Sequence, residues 1–527
     1  MDSPNSVKHI AIHVFGVWGH TKPATGFAVH LIEACKDVTI TLLTFGSMFD
    51  KVLNELKKLG TPQQALVSRL NVIDISGTDF NFSGSQSDFE PVFKTLWSSG
   101  SVTCLSSGKT ISGLPKPCLT ILGVSCIQAL KAARRIAGKE YPILLWMPST
   151  ARMMLRWQGP VELGGMGNLS EKAKARASMT GATLIDAAVE NYYSTEEKVV
   201  QVPGMPAMYA YEFLATQTTK APREFLVKII MENQGVFADV QGVVCNTASV
   251  LERDTIVSLS NWCKELGIGF YPIIPMLCQP GPSNRAVGHQ AADEVFYFLD
   301  TMRSRFGDKS VIYISFGSLF WPSQPEKFWN AIDELISSGT PFVLAYSGML
   351  ADVSEQRKQM IRDSQFGFVL QWAPQQEILS HPATGWFLNH GGWNSIQETV
   401  LAGVPLILWP FDGDQPSNAA AMSLLQQVAI ELVEVRTSES GMKTPYRFVA
   451  PDYKKLLERQ GYTSAPTFTL EASRQEFRRV LRLVKTEEGQ ILRENMEKLS
   501  NEMRSLWSPE GESRIMLNEI IQTYLQL

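Results

Sequence analysis

The turn at residues 390–395 has the residue types of a phosphate-binding site. An apolar strand pattern, GWFLNH, ends at His390, two glycines follow, and a helical pattern begins near Trp393. Glycines let a ligand approach the backbone closely, and the first turn of a helix presents N–H groups at the positive end of its dipole. The side chains of Asn394 and Ser395 add hydrogen-bond donors. The pattern therefore predicts a diphosphate at this turn.

Side chains on either side of this turn suit the other parts of a nucleotide sugar. Glu398 lies one helical turn beyond Asn394 on the same face, where its carboxylate can accept from two vicinal ribose hydroxyls. Asp414 and Gln415 follow the next strand pattern and can bind sugar hydroxyls. Trp372 ends the preceding strand pattern and can stack on a planar base. Each feature alone is common, so the prediction depends on their joint occurrence.

His20 is the candidate general base for attack by a hydroxyl group. Histidine exchanges a proton near neutral pH, and His20 follows the first strand pattern, with Pro23 expected in the first turn of the next helix. A helix N-terminus beside the imidazole favours its neutral, basic form. Three other histidines lie within the strand or helix patterns and are interpreted as packing or surface residues: His9, His13 and His30.

The segment 372–415 resembles, without insertion or deletion, the signature box of the family 1 UDP-glycosyltransferases, which are best known from plants. The resemblance implies that Trp372 stacks on uracil and that the backbone of Ala373 pairs with the uracil edge. It also implies that Gln375 lies near the ribose and that Glu398 binds the ribose hydroxyls. The donor would therefore be a UDP-sugar.

The same resemblance implies contacts to the sugar and the diphosphate. Asp414 and Gln415 correspond to the residues that bind the transferred sugar, and glutamine is the family's usual choice for glucose. The stretch IYISFGSLF resembles the strand and loop that open the donor domain, which brings Gly317 and Ser318 close to the diphosphate. The residues that correspond to the remaining phosphate contacts are His390, Gly392, Asn394 and Ser395. Trp393 would lie near both the sugar and the phosphate.

One member of the family's catalytic pair is missing. In that family an aspartate after a later strand orients the histidine that corresponds to His20 and stabilises its imidazolium form. Here the aligned residue is Gly123, and no Asp or Glu lies between Pro115 and Lys139. Three interpretations follow: a carboxylate reaches His20 from elsewhere, a neutral group such as Ser125 orients it, or His20 acts alone.

Short apolar runs alternate with helical patterns in both halves of the chain, which predicts two parallel sheets covered by helices. Together with the resemblance, this predicts an α/β protein of the GT-B fold, with two Rossmann-like domains whose parallel sheets face each other across a crevice. No role is predicted for the segment 435–470. The predicted divisions are an acceptor-binding domain at 1–275, a linker at 276–295, a UDP-sugar-binding domain at 296–490, and C-terminal helices at 491–527 that pack toward the N-terminal domain.

Composition excludes several classes of protein. A formal net charge of −4 and a pI near 6.1 provide no basic field for nucleic acid. The cysteines are scattered and lack a CxxC pair, which argues against a disulfide framework or a zinc site and favours a reducing compartment. The N-terminus lacks a signal-peptide layout, and no segment is long and apolar enough to span a bilayer. We expect a cytoplasmic monomer that uses no metal ion.

These features predict an inverting transferase that moves a hexose, glucose by preference, from a UDP-sugar to a hydroxyl of a small acceptor. Two alternatives stay open: a UDP-sugar epimerase of the same architecture, for which no acid and base carboxylates can be placed, and a non-catalytic UDP-sugar-binding protein. A dinucleotide-dependent oxidoreductase is disfavoured because no GxGxxG follows the first strand. Apolar and aromatic side chains that fit a lipophilic phenolic, terpenoid or sterol acceptor occur at 147–157, 191–193 and 208–214.

Overall fold

The structure is a computed structural model that describes residues 7–77, 88–218, 223–276, 290–348 and 351–526. Within it the chain divides into two units, and each is made of separate stretches of sequence. Unit 1 comprises Met1–Asn191, Pro222–Asn284 and Ser505–Leu527. Unit 2 comprises Tyr192–Ala221 and Arg285–Arg504.

Strands and helices alternate along the described residues. The strands, numbered in chain order, are β1 (Lys8–His13), β2 (Val38–Thr44), β3 (Leu70–Asp74), β4 (Val102–Thr103), β5 (Thr110–Ile111), β6 (Leu119–Gly123), β7 (Ile143–Met147), β8 (Val199–Val200), β9 (Met208–Tyr209), β10 (Gly242–Cys245), β11 (Gly269–Pro272), β12 (Val311–Ser315), β13 (Phe342–Ala345), β14 (Gly367–Leu370), β15 (Thr384–Asn389), β16 (Leu406–Leu408) and β17 (Ala429–Glu431).

The helices of the same residues are α1 (Trp18–Ala34), α2 (Gly46–Lys57), α3 (Thr61–Leu66), α4 (Phe89–Trp97), α5 (Ile127–Ala137), α6 (Ala151–Gln158), α7 (Leu169–Thr180), α8 (Leu184–Tyr192), α9 (Arg223–Asn233), α10 (Ser249–Glu265), α11 (Gln290–Phe306), α12 (Pro325–Ser337), α13 (Glu355–Asp363), α14 (Gln375–Leu379), α15 (Trp393–Ala402), α16 (Gln415–Ala420), α17 (Lys454–Arg459), α18 (Leu470–Leu483), α19 (Glu487–Ser505) and α20 (Glu512–Ile520).

The main sheet of unit 1 has the strand order β3-β2-β1-β6-β7-β10-β11, and all of its pairings are parallel. Both faces of the sheet are covered, so the inner strand β7 is a continuous apolar run that is buried at every position. The strand order changes direction between β1 and β6. The carboxyl ends of these two strands are therefore where this sheet would hold a ligand.

The main sheet of unit 2 has the strand order β14-β13-β12-β15-β16-β17, again with parallel pairings throughout. Its core is built from the apolar faces of β12, β13 and β15 together with α12 and α18, which pack on them. Here the order changes direction between β12 and β15. The prediction of two Rossmann-like α/β domains is confirmed.

The units differ from the predicted domains at two boundaries. The segment Tyr192–Ala221 belongs to unit 2, although it was predicted in the N-terminal domain. Its described part, 192–218, is called the inserted segment below. The predicted boundary at 491 also moves, because α19 stays with unit 2 through Arg504, which donates to the carbonyl of Leu401.

Most of the predicted linker 276–295 lies outside the described residues. Its last part, from Gln290, forms the start of α11 instead of a linker. The sequence there contains good helix formers such as Ala and Glu, which explains why the helix begins early.

The end of the chain packs on unit 1. Glu512, at the start of α20, accepts from the backbone N–H of Ser249 at 2.9 Å and from its hydroxyl at 2.7 Å. Trp507 Nε1 donates to the carbonyl of Pro275 at 2.9 Å. Leu517 and Ile520 are fully buried in the core of the first sheet. These contacts fix residues from 505 onward to the N-terminal half of the chain.

The segment 435–470 packs against the inserted segment within unit 2. Tyr211 donates its hydroxyl to the carbonyl of Thr444 at 2.7 Å, and Glu212 accepts from the N–H of Tyr446 at 2.9 Å. Beneath them Glu431 is buried between two arginines, with ion pairs of 2.6 Å to Arg436 and 2.8 Å to Arg447. Two stretches that are distant in sequence therefore pack together within unit 2.

Candidate active site

The loops after β12 and β15 begin side by side at the carboxyl edge of the second sheet. The last residues of these strands, Ser315 and Asn389, are register partners. Open α/β sheets bind ligands where the strand order reverses, which in this unit is the gap between these two strands. The loops carry Gly317 and His390, two of the predicted phosphate contacts.

The turn after β15 has the geometry of an anion site. Gly391 has φ +82°, its N–H donates to Asn389 Oδ1 at 2.6 Å, and its carbonyl accepts from Asn418 Nδ2 at 3.0 Å. Helix α15 begins at Trp393, and its N-cap residue Gly392 has no side chain with which to cap it. The first turn of a helix has N–H groups that no helix carbonyl accepts, and its dipole adds positive potential. The arrangement suits a phosphate group.

His390 is enclosed by two glycines. A Cβ at Gly317 would lie 2.9 Å from His390 Cε1, and a Cβ at Gly392 would lie 2.4 Å from His390 Nε2. Burial lowers the pKa of His390 to about 4, so the ring is neutral at physiological pH and can donate one N–H. Its Nδ1 is buried and has no hydrogen-bond partner among the described residues. Ser318, in the same loop as Gly317, is exposed.

The predicted ribose residues contact one another. Gln375 Nε2 donates to Glu398 Oε2 at 2.6 Å and lies 3.4 Å from Ser395 Oγ. On its other side, the amide oxygen of Gln375 accepts from the hydroxyl of Tyr313 at 3.4 Å. Glu398 is 5% exposed, so its carboxylate is held in place within the fold instead of moving in solvent. α14 and α15 thus bring together residues that are distant in sequence.

The predicted base-stacking residue is available for stacking. Trp372 follows the end of β14, and 55% of its side chain is exposed. Its neighbour Ala373 is half-buried. The resemblance assigns only the backbone of this residue to the uracil edge, so its side chain need not be exposed. Trp393, in contrast, is 4% exposed, so most of its ring packs inside unit 2.

The predicted sugar residues lie at the start of α16. Asp414 is the N-cap of this helix and is half-buried. Gln415 is buried, and its Oε1 accepts from the N–H of Phe411 at 3.0 Å and from that of Asp412 at 3.2 Å. Because the two N–H donors occupy the oxygen, the NH₂ end of the amide points away from the loop. Asp412, in the same loop, is half-buried, and burial raises its pKa.

Sequence reasoning missed a second contact to this loop. Thr216, in the inserted segment, donates its backbone N–H to the carbonyl of Phe411 at 2.7 Å and its hydroxyl to the carbonyl of Pro410 at 2.5 Å. No motif or periodicity marks Thr216 in the sequence, and Thr216 and Phe411 are 195 positions apart.

His20 lies at the switch point of the first sheet. Helix α1 begins at Trp18, so His20 stands in its first turn and Pro23 falls in the second turn, one turn later than predicted. Burial lowers the pKa of His20 to about 4, which keeps the imidazole neutral, as a general base requires. Its Nδ1 is buried and has no hydrogen-bond partner within the described ranges. The ring lies 5.5 Å from that of Phe15.

Gly123 occupies the position at which the family has its aspartate. It ends β6 beside the loop that leads from β1 to α1. A Cβ at Gly123 would lie 3.2 Å from the Cα of Val14 and 3.3 Å from the N of Phe15, so the backbones here approach too closely for an unstrained larger residue. Two of the three interpretations require a carboxylate or a neutral group that binds His20. Among the described residues, no carboxylate or hydroxyl is bound to Nδ1 of His20.

The other histidines of this region have structural partners. His9 contacts the carbonyl of Pro115 at 2.7 Å and the hydroxyl of Thr41 at 2.8 Å. His13 is buried and contacts the carbonyl of Leu43 at 3.0 Å. His30 stacks on Trp507 with ring centroids 3.7 Å apart.

The apolar stretches predicted to contact the acceptor are largely core. In α6, Met153, Met154 and Leu155 are at most 2% exposed. In the stretch 208–214, Tyr211 is 2% exposed and the segment belongs to unit 2. Neighbouring apolar residues in a loop and in a short buried helix look alike in sequence, so the pattern alone does not separate an acceptor-binding wall from core.

The described residues contain neither a metal-binding cluster nor a membrane-spanning helix. Across the described ranges, no group of three or more His, Cys, Asp or Glu side chains is arranged to hold a metal ion. In the same part of the chain, no helix combines the length and the apolar character that crossing a membrane requires.

Comparisons with known proteins agree with this geometry. The family model described as UDP-glucoronosyl and UDP-glucosyl transferase matches residues 286–455. DIMBOA UDP-glucosyltransferase BX9 of Zea mays is 31% identical over 337 residues, which cover 60% of this chain and 68% of the relative. UDP-glycosyltransferase eriJ of Hericium erinaceus is 26% identical over 522 residues, which cover 94% of this chain and 95% of the relative.

Solved structures share the fold. The structure of Phytolacca americana UGT2 complexed with UDP-2fluoro-glucose and pterostilbene has a TM-score of 0.64 and 18% identity, and the match covers 98% of this chain and 100% of that chain. The two Rossmann-like units are thus those of a GT-B glycosyltransferase. The chain belongs to the family 1, plant-type UDP-glycosyltransferases, and it is a UDP-dependent glycosyltransferase of the kind that acts on small molecules.

Proposed function

We propose that this enzyme transfers glucose from UDP-glucose to a hydroxyl group of a small lipophilic acceptor, with inversion at the anomeric carbon and His20 as general base. The observation that carries the proposal is the glycine turn at 390–392, which lies at the switch point of the second sheet and opens helix α15 beside a neutral, buried His390. That turn offers N–H donors and a helix dipole to a diphosphate.

The nucleoside end of the donor is supported by two features of unit 2. The exposed ring of Trp372 can stack on uracil, and the adjacent backbone of Ala373 can pair with its edge. The carboxylate of Glu398, held by Gln375 at 2.6 Å, can accept from both ribose hydroxyls.

The choice of glucose rests on Asp414 and Gln415. The oxygen of the Gln415 amide is occupied by two backbone N–H groups, so the side chain presents its NH₂ as a donor to a sugar hydroxyl. Asp414 adds a carboxylate acceptor one residue earlier. A donor and an acceptor side by side suit the adjacent hydroxyls of a hexose.

The transfer is a single displacement. The neutral imidazole of His20 takes the proton from the acceptor hydroxyl while the acceptor oxygen forms a bond to C1 of the glucose. The bond from C1 to the diphosphate oxygen breaks on the opposite face, and UDP leaves with the electron pair. The N–H groups of the turn and the His390 ring stabilise the charge that develops on the diphosphate, so the reaction is proposed to need no metal ion.

The lipophilic acceptor is supported by relatives, because most apolar side chains of 147–157 and 208–214 are buried. The maize relative is named for DIMBOA, and the Phytolacca structure holds pterostilbene. Both are small molecules with aromatic rings and hydroxyl groups. We also propose that the enzyme works in the cytoplasm as a monomer, in line with six free cysteines among the described residues.

One experiment tests this function. The full-length enzyme is incubated with UDP-glucose, a panel of phenolic, terpenoid and sterol alcohols, and EDTA, and products are analysed by mass spectrometry and by NMR of the anomeric proton. We expect a hexose adduct with the β configuration. A free epimer of the donor without an adduct, or UDP-glucose binding without turnover, would overturn the proposal.

A further inference from the structure

Two residues hold the same pair of peptide groups from opposite sides. The peptide between Pro410 and Phe411 donates its N–H to Gln415 Oε1 at 3.0 Å, and its carbonyl accepts from the Thr216 hydroxyl at 2.5 Å. The next peptide, between Phe411 and Asp412, donates its N–H to the same Gln415 oxygen at 3.2 Å. Its carbonyl accepts from the Thr216 N–H at 2.7 Å.

These hydrogen bonds form a continuous network inside unit 2. Thr216 is 1% exposed, Gln415 5% and Phe411 1%, so water does not compete for the donors and acceptors. Hydrogen bonds in a chain polarise one another, and each peptide here is bonded at both ends. The orientation of the Gln415 amide therefore depends on the position that Thr216 imposes on the loop.

Thr216 is itself held firmly. Its carbonyl accepts from the N–H of Thr437 at 2.9 Å, and a Cβ at Gly441 would lie 2.5 Å from the same oxygen. Its neighbour Gln217 donates to the carbonyl of Val435 at 3.0 Å and accepts from the hydroxyl of Ser323 at 3.1 Å. The inserted segment thus ties together the loops that follow β12, β16 and β17.

We propose that Thr216 is a positioning residue that orients the Gln415 amide toward the hexose, so that it sets the affinity for the sugar part of the donor without contacting the donor. The proposal rests on the proposed function, in which Gln415 binds the transferred glucose. It also gives the inserted segment and the segment 435–470 a role in donor recognition.

The test compares UDP with UDP-glucose, because UDP carries no hexose. In Thr216→Val the side chain keeps its shape but loses the hydroxyl, which leaves the Pro410 carbonyl without its donor. We expect the dissociation constant for UDP-glucose to rise about tenfold, the value for UDP to stay unchanged, and KM to rise more than kcat falls. Thr216→Ser, which keeps the hydroxyl, should restore the affinity for UDP-glucose.

A matched control lies two residues away. Thr218→Val removes an exposed hydroxyl. This hydroxyl donates to the carbonyl of Thr437 and not to the loop 410–415. We expect this variant to bind both ligands as the parent enzyme does. If Thr216→Val does not give folded protein by circular dichroism, Thr216→Ala removes the same hydroxyl with less bulk and is measured in the same way.

A double-mutant comparison separates the possible failures. Gln415→Ala should raise the dissociation constant for UDP-glucose but not for UDP, and adding Thr216→Val to it should cause no further change. Equal losses for UDP and UDP-glucose in Thr216→Val, or additive losses in the double variant, would overturn the positioning role. No change for UDP-glucose in Gln415→Ala would instead overturn the sugar contact in the proposed function.

Discussion

The amide of Gln375 donates a hydrogen bond of 2.6 Å to the carboxylate of Glu398, across the two helices that flank the proposed ribose site. The bond holds a carboxylate that is almost fully buried. Holding a binding side chain in one orientation reduces the conformational entropy that the protein loses on binding. Gln375 is therefore expected to act on the nucleotide through Glu398.

Gln375→Leu should weaken UDP binding by about fivefold, because it removes one hydrogen bond to a charged group and lets the carboxylate move. The measurement is isothermal titration calorimetry with UDP. Gln376→Leu is the control, since Gln376 lies on the same short helix and its Oε1 has no hydrogen-bond partner among the described residues. A loss of equal size in the control would contradict the role of Gln375.

Gly317→Ala should weaken UDP binding by about tenfold. The new Cβ would lie 2.9 Å from His390 Cε1 and would displace the imidazole from the phosphate turn. The φ of +75° at Gly317 also disfavours alanine, with a cost to stability of about 1 kcal/mol.

Gly307→Ala separates the two effects of that substitution. Gly307 has φ +87° and open space around its Cβ position, so this variant carries the backbone strain without the collision. Thermal unfolding should show similar losses of stability in both variants, and calorimetry should show a loss of UDP affinity only in Gly317→Ala. Weakened UDP binding in Gly307→Ala would mean that strain alone explains the effect.

The acid limb of the pH–rate profile should fall well below the ordinary histidine pKa of 6.5. Burial lowers the pKa of His20 to about 4, so the imidazole is neutral and able to accept a proton above that pH and becomes protonated below it. Turnover should therefore persist at pH 5.5 and fall as the pH approaches 4. The profile of kcat/KM is measured with an aliphatic alcohol, whose hydroxyl does not titrate in this range.

His390 has a similarly lowered pKa, so the affinity for UDP is measured over the same pH range as a control. Protonation of His390 would change UDP binding, whereas protonation of His20 would change turnover alone. An acid limb near or above 6.5 in the rate, with constant UDP affinity, would contradict the assignment of a desolvated His20 as the base.

Gly123→Asp should raise the pKa of the acid limb relative to Gly123→Asn. Both side chains crowd the backbone at Val14 and Phe15, with a cost to stability of about 1–3 kcal/mol, but only aspartate adds a negative charge beside the loop that leads to His20. The comparison uses pH–rate profiles of the two variants after their folding has been verified. Identical profiles would show that the position does not act on the imidazole.

The parts of the fold that could be predicted from the sequence are those set by local pattern. The inner strands β7, β12 and β15 are rich in apolar residues, and the turn after β15 is marked by two glycines between a strand and a helix. Such features follow from burial on both faces and from backbone geometry. The predicted residues of the phosphate turn accordingly lie together in the structure.

The parts that could not be predicted depend on partners far away in the chain. The edge strands β3, β11 and β17 have the short or partly polar sequences LNVID, GFYP and AIE, and only pairing with a neighbour makes them strands. The contact of Thr216 with the loop 410–415 joins residues 195 positions apart, and its hydrogen bonds end on backbone carbonyls, which every residue possesses. Neither leaves a pattern in the local sequence.

In the proposed function His20 serves catalysis and unit 2 binds the donor. One paired measurement separates these two roles. The turnover number with UDP-glucose and an accepted alcohol, and the dissociation constant for UDP, are determined for His20→Ala and for Glu398→Ala. We expect His20→Ala to lose turnover by at least about a thousandfold and to bind UDP as the parent enzyme does, whereas Glu398→Ala should bind UDP more weakly. Full turnover in His20→Ala, or unchanged UDP affinity in Glu398→Ala, would contradict the proposed function.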